Sequence, residues 1–286
     1  MNAINAEALA AWETNASFWD QGMGDGGNDY YKLVELPALE RMAAVKPSDR
    51  ALDLATGNGL VARWLASQGA CVIATDGSQT MLSHAKRRGE NVDGKSYLNS
   101  VSYQVLDLTS SEAFERFIEK DTVDEGEFDI VTINMAIMDI GTLEPLAAAL
   151  PKLLKKNTGR FVATLLHPFI TAGSTRVIEY ADNPETGREE ERLSLKLTRY
   201  LHAAPPVKAE ALKGQPSYQY TFHRPIHEIL SPFLRAGLML DALEEPNFDA
   251  EHTASKQLEP RSLRYLTEIP KILAFRMRAL GQPLNN

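Results

Sequence analysis

The chain alternates between two hydrophobic patterns, short apolar runs typical of buried strands and amphipathic stretches typical of helices. The apolar runs predict strands at 51–54, 71–75, 101–106, 128–134, 159–166, 238–243 and 271–277. Helical patterns lie between them, most clearly at 78–88, 110–119, 143–154 and 227–236. This alternation predicts a doubly wound α/β fold, in which a mostly parallel sheet is covered by helices on both faces.

Two further helical patterns occupy the N-terminus, at 5–20 and at 30–45. In the second, Leu33 is placed on the apolar face, and Pro37 predicts a kink or a break into two helices. The glycine-rich stretch 22–29 separates the two patterns and predicts a flexible loop. We interpret this loop as an active-site lid, and the alternative is a plain connection between two packing helices.

The pattern changes after residue 166. Prolines and glycines become frequent, and short alternating runs appear at 192–200 and 218–222, which predicts an inserted β-rich cap. We therefore divide the chain into an N-terminal helical lid (1–45), a nucleotide-binding core (46–166), a substrate cap (167–224) and the remainder of the core with the last two strands (225–286).

The stretch from Arg50 to Asp76 is the most informative part of the sequence. It reads as strand, glycine loop, helix, strand and acid, which is the beginning of a nucleotide-binding α/β domain. The loop and the helix after it match the pattern G-x-G-x-x-A over residues 57–62, which also fits a dinucleotide dehydrogenase. The loop alone therefore does not identify the nucleotide that is bound.

Three carboxylates near predicted strand ends narrow the choice. Asp53 lies just before the loop, where it disfavours a pyrophosphate and suits a positive group such as the ammonium of an amino acid. Asp76 is placed to accept hydrogen bonds from two ribose hydroxyls, a role common to both cofactors. Asp107 can accept from the exocyclic amine of adenine while the Leu108 N–H donates to the ring. Together they describe a pocket for adenosine with an amino-acid tail and no phosphate, which is S-adenosylmethionine.

Composition limits the binding partners and the cellular location that are expected. Hydrophobic residues make up 44% of the chain and charged residues 24%, as in an ordinary globular protein. The net charge of −8 argues against nucleic acid or an anionic membrane surface as the main partner. With no long apolar run and no basic leader pattern, a cytoplasmic protein is expected. The single cysteine, Cys71, is expected to be a buried strand thiol.

Four motifs, in order and at suitable spacing, resemble class I S-adenosylmethionine-dependent methyltransferases. They are LDLATGNG (52–59), VIATDGSQTML (72–82), VLDL (105–108) and FDIVTINMAIMDI (128–140). The resemblance implies a Rossmann-like sheet of seven strands, the last antiparallel, with the cofactor across the carboxyl ends of the strands. One departure is Ala55, where the family usually has a glycine; alanine is tolerated there if the backbone keeps φ negative.

The resemblance also implies a cofactor site whose residues all lie in or just after the loops at strand ends. The methionine moiety would be lined by Gly57, Asn58 and Gly59. The ribose would be held by Asp76, Gly77 and Ser78, and the adenine by Met81, Asp107 and Leu108. The sulfonium would lie beside the backbone carbonyls of Asn134 and Met135.

Methyl transfer requires that the acceptor be aligned with an activated methyl group and that its proton be removed or accommodated. His167 follows the fifth predicted strand, and His223 lies where the cap returns to the sheet. Each is a candidate general base or acceptor-orienting group, and each has a structural alternative, as a turn or cap fastener. The remaining histidines are His84 (expected to be solvated), His202, His227 and His252, and no spacing among the six is typical of a zinc site. No metal is predicted.

Aromatic residues flank the glycine-rich loop and recur in the cap. Rings offer large apolar contacts and attract cationic centres such as a sulfonium. We therefore expect Trp19 and Tyr31 to contact the cofactor. The candidate acceptor contacts are Tyr30, Tyr218, Tyr220 and Arg224. The alternative for the aromatic residues is core packing.

These features predict methyl transfer from S-adenosylmethionine to an oxygen or nitrogen of a small-molecule acceptor. The fourth strand is followed by Asn-Met-Ala-Ile (134–137) and not by an Asn-Pro-Pro-Tyr/Phe tetrapeptide, which disfavours planar base or amide nitrogens as the methylated atoms. One alternative is a methyltransferase-like protein that binds the cofactor for other chemistry or as a binding module. The other is an NAD(P)-dependent dehydrogenase.

Overall fold

A seven-stranded sheet forms the centre of the computed structural model, which describes residues 2–90, 96–97, 99–119, 126–201, 205–249, 251 and 262–280. Its strands are β1 (Arg50–Leu54), β2 (Cys71–Asp76), β3 (Val101–Val105), β4 (Ile130–Asn134), β5 (Arg160–Leu166), β10 (Leu238–Glu244) and β11 (Ile272–Ala279). Their order across the sheet is β3-β2-β1-β4-β5-β11-β10. The first five strands are parallel and β11 is antiparallel to both of its neighbours, which confirms the predicted sheet.

Helices connect the strands as the hydrophobic pattern predicts. They are α1 (Asn2–Met23), α2 (Leu36–Ala43), α3 (Leu60–Ser67), α4 (Gln79–Glu90), α5 (Ser111–Glu119), α6 (Glu144–Leu153), α7 (Pro168–Thr171) and α8 (Ile226–Arg235). Ser78 caps the start of α4, because the Met81 N–H donates to Ser78 Oγ at 3.0 Å. Ser110 caps α5 in the same way, accepting from the Ala113 N–H at 3.1 Å.

Both faces of the sheet are buried, because side chains along each central strand alternate between the two layers. Ala51 packs in the layer that contains α2 and α3, while Leu52 and Leu54 pack in the layer that contains α5, α6 and α8. This second layer includes Phe161, whose ring lies 5.2 Å from that of Phe233 on α8. The central sheet thus has a core on each side, and only its strand ends are left to build a site.

The N-terminal segment differs from the predicted pattern between residues 31 and 43. Tyr31–Glu35 form a π-helical turn, in which the Leu36 N–H bonds to the carbonyl of Tyr31, before α2 begins. The break falls just before Pro37, which lacks an N–H and is tolerated in the first turn of the new helix. Leu33, predicted on the apolar face, is 39% exposed, and Glu35 is buried instead.

The glycine-rich loop is shorter and more firmly held than predicted. Helix α1 continues to Met23, so that Gly22 is helical. Arg88 Nη1 donates to Asp25 Oδ1 at 2.5 Å, and Asn58 Nδ2 donates to the Gly24 carbonyl at 3.1 Å. The prediction of a flexible loop is therefore wrong for this state, in which the segment is tied to α4 and to the glycine loop after β1.

The segment between β5 and α8 carries two small antiparallel sheets, which fit the predicted β-rich cap. The first pairs β6 (Thr175–Asp182) with β7 (Glu189–Lys196), and the second pairs β8 (Val207–Ala209) with β9 (Gln219–Thr221). Asn15 of α1 fastens the second sheet, because its Nδ2 donates to the Ser217 carbonyl and its Oδ1 accepts from the Ser217 N–H, each at 2.8 Å.

Two expectations about single residues are wrong. Cys71 is the first residue of β2, but its side chain is exposed, because it lies at the amino end of the strand outside the helical layers. The His84 side chain is only 12% exposed, because Nε2 lies 3.1 Å from Ser17 Oγ and Nδ1 lies 3.4 Å from a carboxylate oxygen of Asp20, both on α1. None of the helices in the described ranges combines the length and apolar character needed to cross a membrane.

Candidate cofactor and acceptor site

The loop after β1 is held in a left-handed backbone conformation. Gly57 and Gly59 have φ of 57° and 84°, values that glycine adopts at little cost. Ala55 has φ of 50°, so the condition under which alanine would be tolerated here without strain is not met. A left-handed alanine costs about 1–2 kcal/mol, so the loop stores strain where the sequence departs from glycine.

Asp76, at the end of β2, faces this loop. Its Oδ2 accepts from the Gly57 N–H at 2.9 Å, and its Oδ1 accepts from the Ser78 N–H at 2.8 Å. Burial raises the pKa of the Asp76 carboxyl to about 6, although the two backbone donors favour the charged form. The carboxylate is thus fixed between the first glycine and α4, with further lone pairs left to accept from a ligand.

Asp53 lies behind the loop and is 1% exposed. Its Oδ2 accepts from Thr56 Oγ1 at 2.5 Å, and its Oδ1 accepts from Thr132 Oγ1 of β4 at 2.8 Å. Burial raises the pKa of Asp53 to about 6, and the neighbouring Asp76 carboxylate adds to the rise. Asp53 therefore acts on a ligand as a buried charge beneath the loop rather than as an exposed contact.

Two glycines of the predicted site, Gly57 and Gly77, have different surroundings. A side chain at Gly57 would meet no atom within 4 Å, so the loop there borders open space in which a ligand can lie. A side chain at Gly77 would collide with Leu9 of α1. The neighbouring Ser78 is buried, and its hydroxyl donates to Glu13 Oε2 of the same helix at 2.5 Å. Helix α1 therefore covers the start of α4, where Met81 is also buried.

Asn58 is turned toward the N-terminal helix and away from the open space. Its Nδ2 lies 3.3 Å from Asp20 Oδ1, and its carbonyl accepts from Arg63 Nη1 at 2.6 Å. Asp20 also pairs with the guanidinium of Arg88. The Asn58 side chain therefore ties the end of α1 and the residues after it to the glycine loop.

The loop after β3 keeps hydrogen-bonding capacity for a ligand. Asp107 Oδ1 accepts from the backbone and the hydroxyl of Thr109, at 2.8 and 2.7 Å. Within the described ranges, neither Asp107 Oδ2 nor the Leu108 N–H has a hydrogen-bond partner. This acceptor and donor are the pair that the sequence assigned to the adenine edge.

The end of β4 meets the π-helical turn. Asn134 Nδ2 donates to Glu35 Oε2 at 2.9 Å, and Asn134 Oδ1 accepts from the Thr164 hydroxyl. Met135, the residue after β4, has φ of 54°, so it is strained in the same way as Ala55, the residue after β1. Glu35 is 3% exposed, and burial raises its pKa to about 7. A buried acid therefore lies beside the predicted sulfonium position.

His167 is fully buried and both ring nitrogens are engaged. Its Nε2 lies 2.8 Å from Glu245 Oε1, and its Nδ1 accepts from the Phe169 N–H at the start of α7. Burial lowers the pKa of His167, with the Glu245 carboxylate opposing the shift. This arrangement leaves no ring nitrogen for an acceptor and favours the structural alternative, a cap for the turn after β5.

His223 and Arg224 also fasten the cap. His223 Nδ1 lies 3.0 Å from Thr171 Oγ1, and its Nε2 lies 2.8 Å from the Tyr200 carbonyl. Arg224 Nη2 donates to the carbonyls of Ile140 and Gly141 at 2.7 and 2.9 Å. Both side chains have structural partners, so the structural reading is favoured for them as well.

The aromatic candidates divide between the site and the core. Tyr31 is buried below the loop, where burial, Asp53 and Glu35 all raise the pKa of its phenol. Trp19 Nε1 is buried without a hydrogen-bond partner, so it can donate to a ligand. The Tyr30 ring packs edge-on against Phe248 at 4.8 Å, which makes it part of the wall beside Met135.

The two cap tyrosines do not line the strand ends together. Tyr218 is 58% exposed and precedes β9. Tyr220 Oη donates to Glu7 Oε2 of α1 at 2.6 Å. Tyr220 therefore joins the cap to the N-terminal helix, and Gln219 between the two tyrosines is the residue that turns inward.

Sequence reasoning missed Glu35 and Asp139, although a signal for each was present. The buried positions between Tyr31 and Ala43 recur at helical spacing, and Glu35 is the single charged residue among them. Asp139 ends the 3₁₀ turn Ile137–Asp139 after β4, inside an otherwise apolar run. An ionisable residue on a face that must be buried is typical of a site.

The carboxyl edge of the sheet collects buried acids without cations. In the described part of the chain, burial raises the pKa of four carboxyls, Glu35, Asp53, Asp76 and Asp139. All four lie at or just beyond the ends of β1, β2 and β4, and none forms a salt bridge within those residues. Such a group favours a ligand with net positive charge and opposes a pyrophosphate.

No group of three or more His, Cys, Asp and Glu side chains in the described ranges could hold a metal ion. His202 and His252 lie outside those ranges.

Comparison with known proteins agrees with the fold. The family model described as "Methyltransferase domain" matches residues 51–157, which include β1 to α6 and both glycines of the loop. No curated protein sequence matches the chain significantly.

Solved structures share the whole architecture. An S-adenosylmethionine-dependent methyltransferase from Mesorhizobium loti has 22% identity and a TM-score of 0.65, over 85% of this chain and 97% of that one. A Haloferax volcanii protein from a complex with the Trm112 methyltransferase activator has 20% identity and a TM-score of 0.57, over 96% and 98% of the two chains. DhpI bound to SAH has 17% identity and a TM-score of 0.55, over 99% and 100%.

The strand order, the glycine loop with its acids and the family match agree on one cofactor, S-adenosylmethionine. They also set aside the dehydrogenase alternative, because the buried acids oppose a pyrophosphate. Residues 51–157 of the chain form a methyltransferase domain, and the whole chain has the fold of S-adenosylmethionine-dependent methyltransferases.

Proposed function

We propose that this enzyme transfers the methyl group of S-adenosylmethionine to an oxygen or nitrogen of a small-molecule acceptor. The observation that carries the proposal is the group of four uncompensated acids at the carboxyl edge of the sheet. S-adenosylmethionine carries a sulfonium and an ammonium against one carboxylate, so its net charge complements this edge. Loss of the sulfonium charge on transfer then weakens product binding.

We assign the contacts with the cofactor to groups whose hydrogen-bonding capacity the protein leaves unused. Asp76 accepts the ribose hydroxyls, while Asp107 Oδ2 and the Leu108 N–H take the adenine edge. The methionine moiety lies in the open space beside Gly57, above the buried charge of Asp53. Trp19 Nε1, which is buried without a partner, donates to the cofactor from the lid.

The acceptor side suits a small molecule. The turn after β4, the end of β5 and the cap line a small, partly open pocket. Its walls include Ile137, Leu166 and Phe222, with Arg224 and Thr171 at the cap side. Apolar walls with a few polar groups are typical of small-ligand sites. The negative charge of the chain supports the same reading against nucleic acid.

Glu35 is the group best placed to receive the acceptor proton. It is buried against Asn134, next to the proposed sulfonium position, and burial raises its pKa to about 7. An acid whose pKa lies near neutral pH is suited to general-base work. His167 and His223, by contrast, have both ring nitrogens engaged.

A screen of small-molecule acceptors with radiolabelled S-adenosylmethionine tests this function. We expect label in one class of small hydroxyl or amine compound, and loss of that label in the Glu35→Gln variant. A Glu90→Gln variant, at the exposed end of α4, serves as the matched control and retains activity. Labelling of RNA or protein with no small-molecule product would contradict the proposal.

A further inference from the structure

A buried polar cluster lies where α1, the 137–139 turn and β9 meet. It contains Asn5 of α1, Asp139 of the turn and Gln219 of β9. Asn5 and Gln219 are 9% and 6% exposed. The cluster is held together by the backbone, because the Phe222 N–H donates to the Met138 carbonyl at 2.7 Å. None of these side chains belongs to the proposed cofactor contacts.

Among the described residues, two acceptors of this cluster have no donor and a third has only a long contact. Gln219 Nε2 lies 3.5 Å from Asp139 Oδ1, a long contact that uses the donor end of the amide. Gln219 Oε1 and Asn5 Oδ1 are both buried without a hydrogen-bond partner. A buried acceptor without a donor is costly and rare in folded proteins, so each one calls for an explanation.

The charge of the cluster is also uncompensated. Asp139 forms no salt bridge in the described part of the chain, and burial raises its pKa well above the usual range. The guanidinium of Arg224 is bonded to the carbonyls of Ile140 and Gly141, which follow the same turn. A Cβ at Gly141 would collide with Asn5 Oδ1, so this oxygen also borders the residues just after the turn. Among the described residues, the long contact from Gln219 Nε2 is the one side-chain donor to Asp139.

We propose that Asn5, Asp139 and Gln219 form an anchor for the ammonium group of the methyl acceptor. An ammonium carries several N–H donors and a positive charge, so it can satisfy the two amide oxygens and the carboxylate together. A hydroxyl has one donor and no charge, and a carboxylate has neither. The anchor rests on the proposed function, since it assumes that the acceptor occupies the side of the sheet between β4 and the cap.

The anchor is distinct from the atom that is methylated. A nitrogen held as ammonium has no lone pair with which to attack the methyl carbon. The acceptor therefore carries at least two functional groups, an ammonium in the anchor and a separate oxygen or nitrogen that receives the methyl group. This defines the acceptor as an amine with a second nucleophilic group.

Butylammonium, 1-butanol and butyrate test the anchor, because they share a chain and differ in the head group. Each is titrated into the complex of the full enzyme with S-adenosylhomocysteine and followed by calorimetry. We expect butylammonium to bind at least about tenfold more tightly than the other two, and the Asp139→Asn variant to lose that preference. The Glu144→Gln variant, which removes an exposed acid on α6, should keep it.

Thermal stability provides a second test, which can be measured without an acceptor. If the cluster is built for a ligand, neutralising it should stabilise the free enzyme, so Asp139→Asn and Gln219→Met should each raise Tm by about 3 °C. A purely structural cluster predicts the reverse, a lower Tm for both variants. Equal binding of the three probes, an undiminished preference in Asp139→Asn or a lower Tm would overturn the proposal. Failure of S-adenosylhomocysteine to bind would instead count against the proposed function.

Discussion

The two halves of the sheet's carboxyl edge differ in how many hydrogen bonds hold their acids, two each for Asp53 and Asp76 and one each for Glu35 and Asp139. At the β1–β3 half, Asp76 accepts from Gly57 and Ser78, which are 19 and 2 residues away. At the β4–β5 half, Glu35 bonds to Asn134 across 99 residues and Gln219 reaches Asp139 across 80. On the proposed roles, the acids of the cofactor half are held more firmly than those of the acceptor half.

The acids of the two halves are also expected to have different roles in binding and catalysis. In the first half, Asp53 and Asp76 are each fixed by two hydrogen bonds, and burial raises the pKa of each to about 6. In the second half, Glu35 has one bond to a neutral amide and a pKa near 7, so its charge can change during turnover. We expect substitutions in the two halves to affect different steps.

Glu35→Gln should have the largest effect. Loss of the proton acceptor should lower kcat by about 10²–10⁴-fold while leaving the affinity for S-adenosylhomocysteine unchanged. In the wild type, kcat should rise with pH through about 7, as Glu35 ionises. The variant should lack this rise, and steady-state kinetics from pH 5 to 9 check both points. A variant with normal kcat and the same pH profile would remove Glu35 from the mechanism.

The same substitution should stabilise the protein. Burial raises the Glu35 pKa in the folded state, so the stability it contributes is present below about pH 4.5 and is lost as pH rises through about 7. At pH 8 the neutral glutamine should therefore add up to about 3 kcal/mol to the free energy of unfolding, measured by denaturant titration. No gain at pH 8 would show that Glu35 is not a buried, uncompensated acid.

Asp76→Ala tests the proposed role of Asp76 in holding the ribose of the cofactor. Removal of the carboxylate should weaken binding of S-adenosylhomocysteine by about 10²-fold, the loss of two charge-assisted hydrogen bonds. Circular dichroism should show the fold unchanged. Asp182→Ala, at the exposed end of β6, is the matched control and should bind normally. Unchanged affinity in the Asp76 variant would refute the ribose role.

His167→Ala tests whether the acceptor half contains a catalytic histidine. Because both ring nitrogens fasten the turn after β5, the variant should lose about 1–3 kcal/mol of stability. Its kcat, measured well below its Tm, should stay within a few-fold of wild type. A large fall in kcat with an unchanged Tm would restore His167 as a catalytic candidate.

Ala55→Gly should have the smallest effect, on the strain of the glycine loop. Ala55 has φ of 50°, so glycine should raise the free energy of unfolding by about 1 kcal/mol. The same change at Ala62, inside α3, should lower it by about 1 kcal/mol. If both variants lose stability equally, the left-handed conformation at residue 55 carries no strain.

The sequence predicted those parts of the site whose residues lie close together in the chain. The strand ends carrying Asp53, Asp76 and Asp107, the cap Ser78 and the glycine loop are all defined by residues close in the chain, and they follow the predicted elements. The sheet order agrees with the family resemblance.

The acceptor side was less predictable because its contacts are non-local. The π-helical turn shifts the helical face by one residue and buries Glu35 in place of Leu33. His167 and His223 have the residue type expected of a base, yet partners such as Glu245 and Tyr200 make them structural. No spacing in the chain reveals that Asn5, Asp139 and Gln219 meet.

The central claim is that the carboxyl edge takes a phosphate-free, positively charged adenosine derivative. Calorimetric titration of the enzyme with S-adenosylmethionine, S-adenosylhomocysteine and NADH tests it most directly. The account predicts binding of the first two in about the micromolar range, and no heat from NADH. Tight NADH binding without a response to S-adenosylhomocysteine would contradict it.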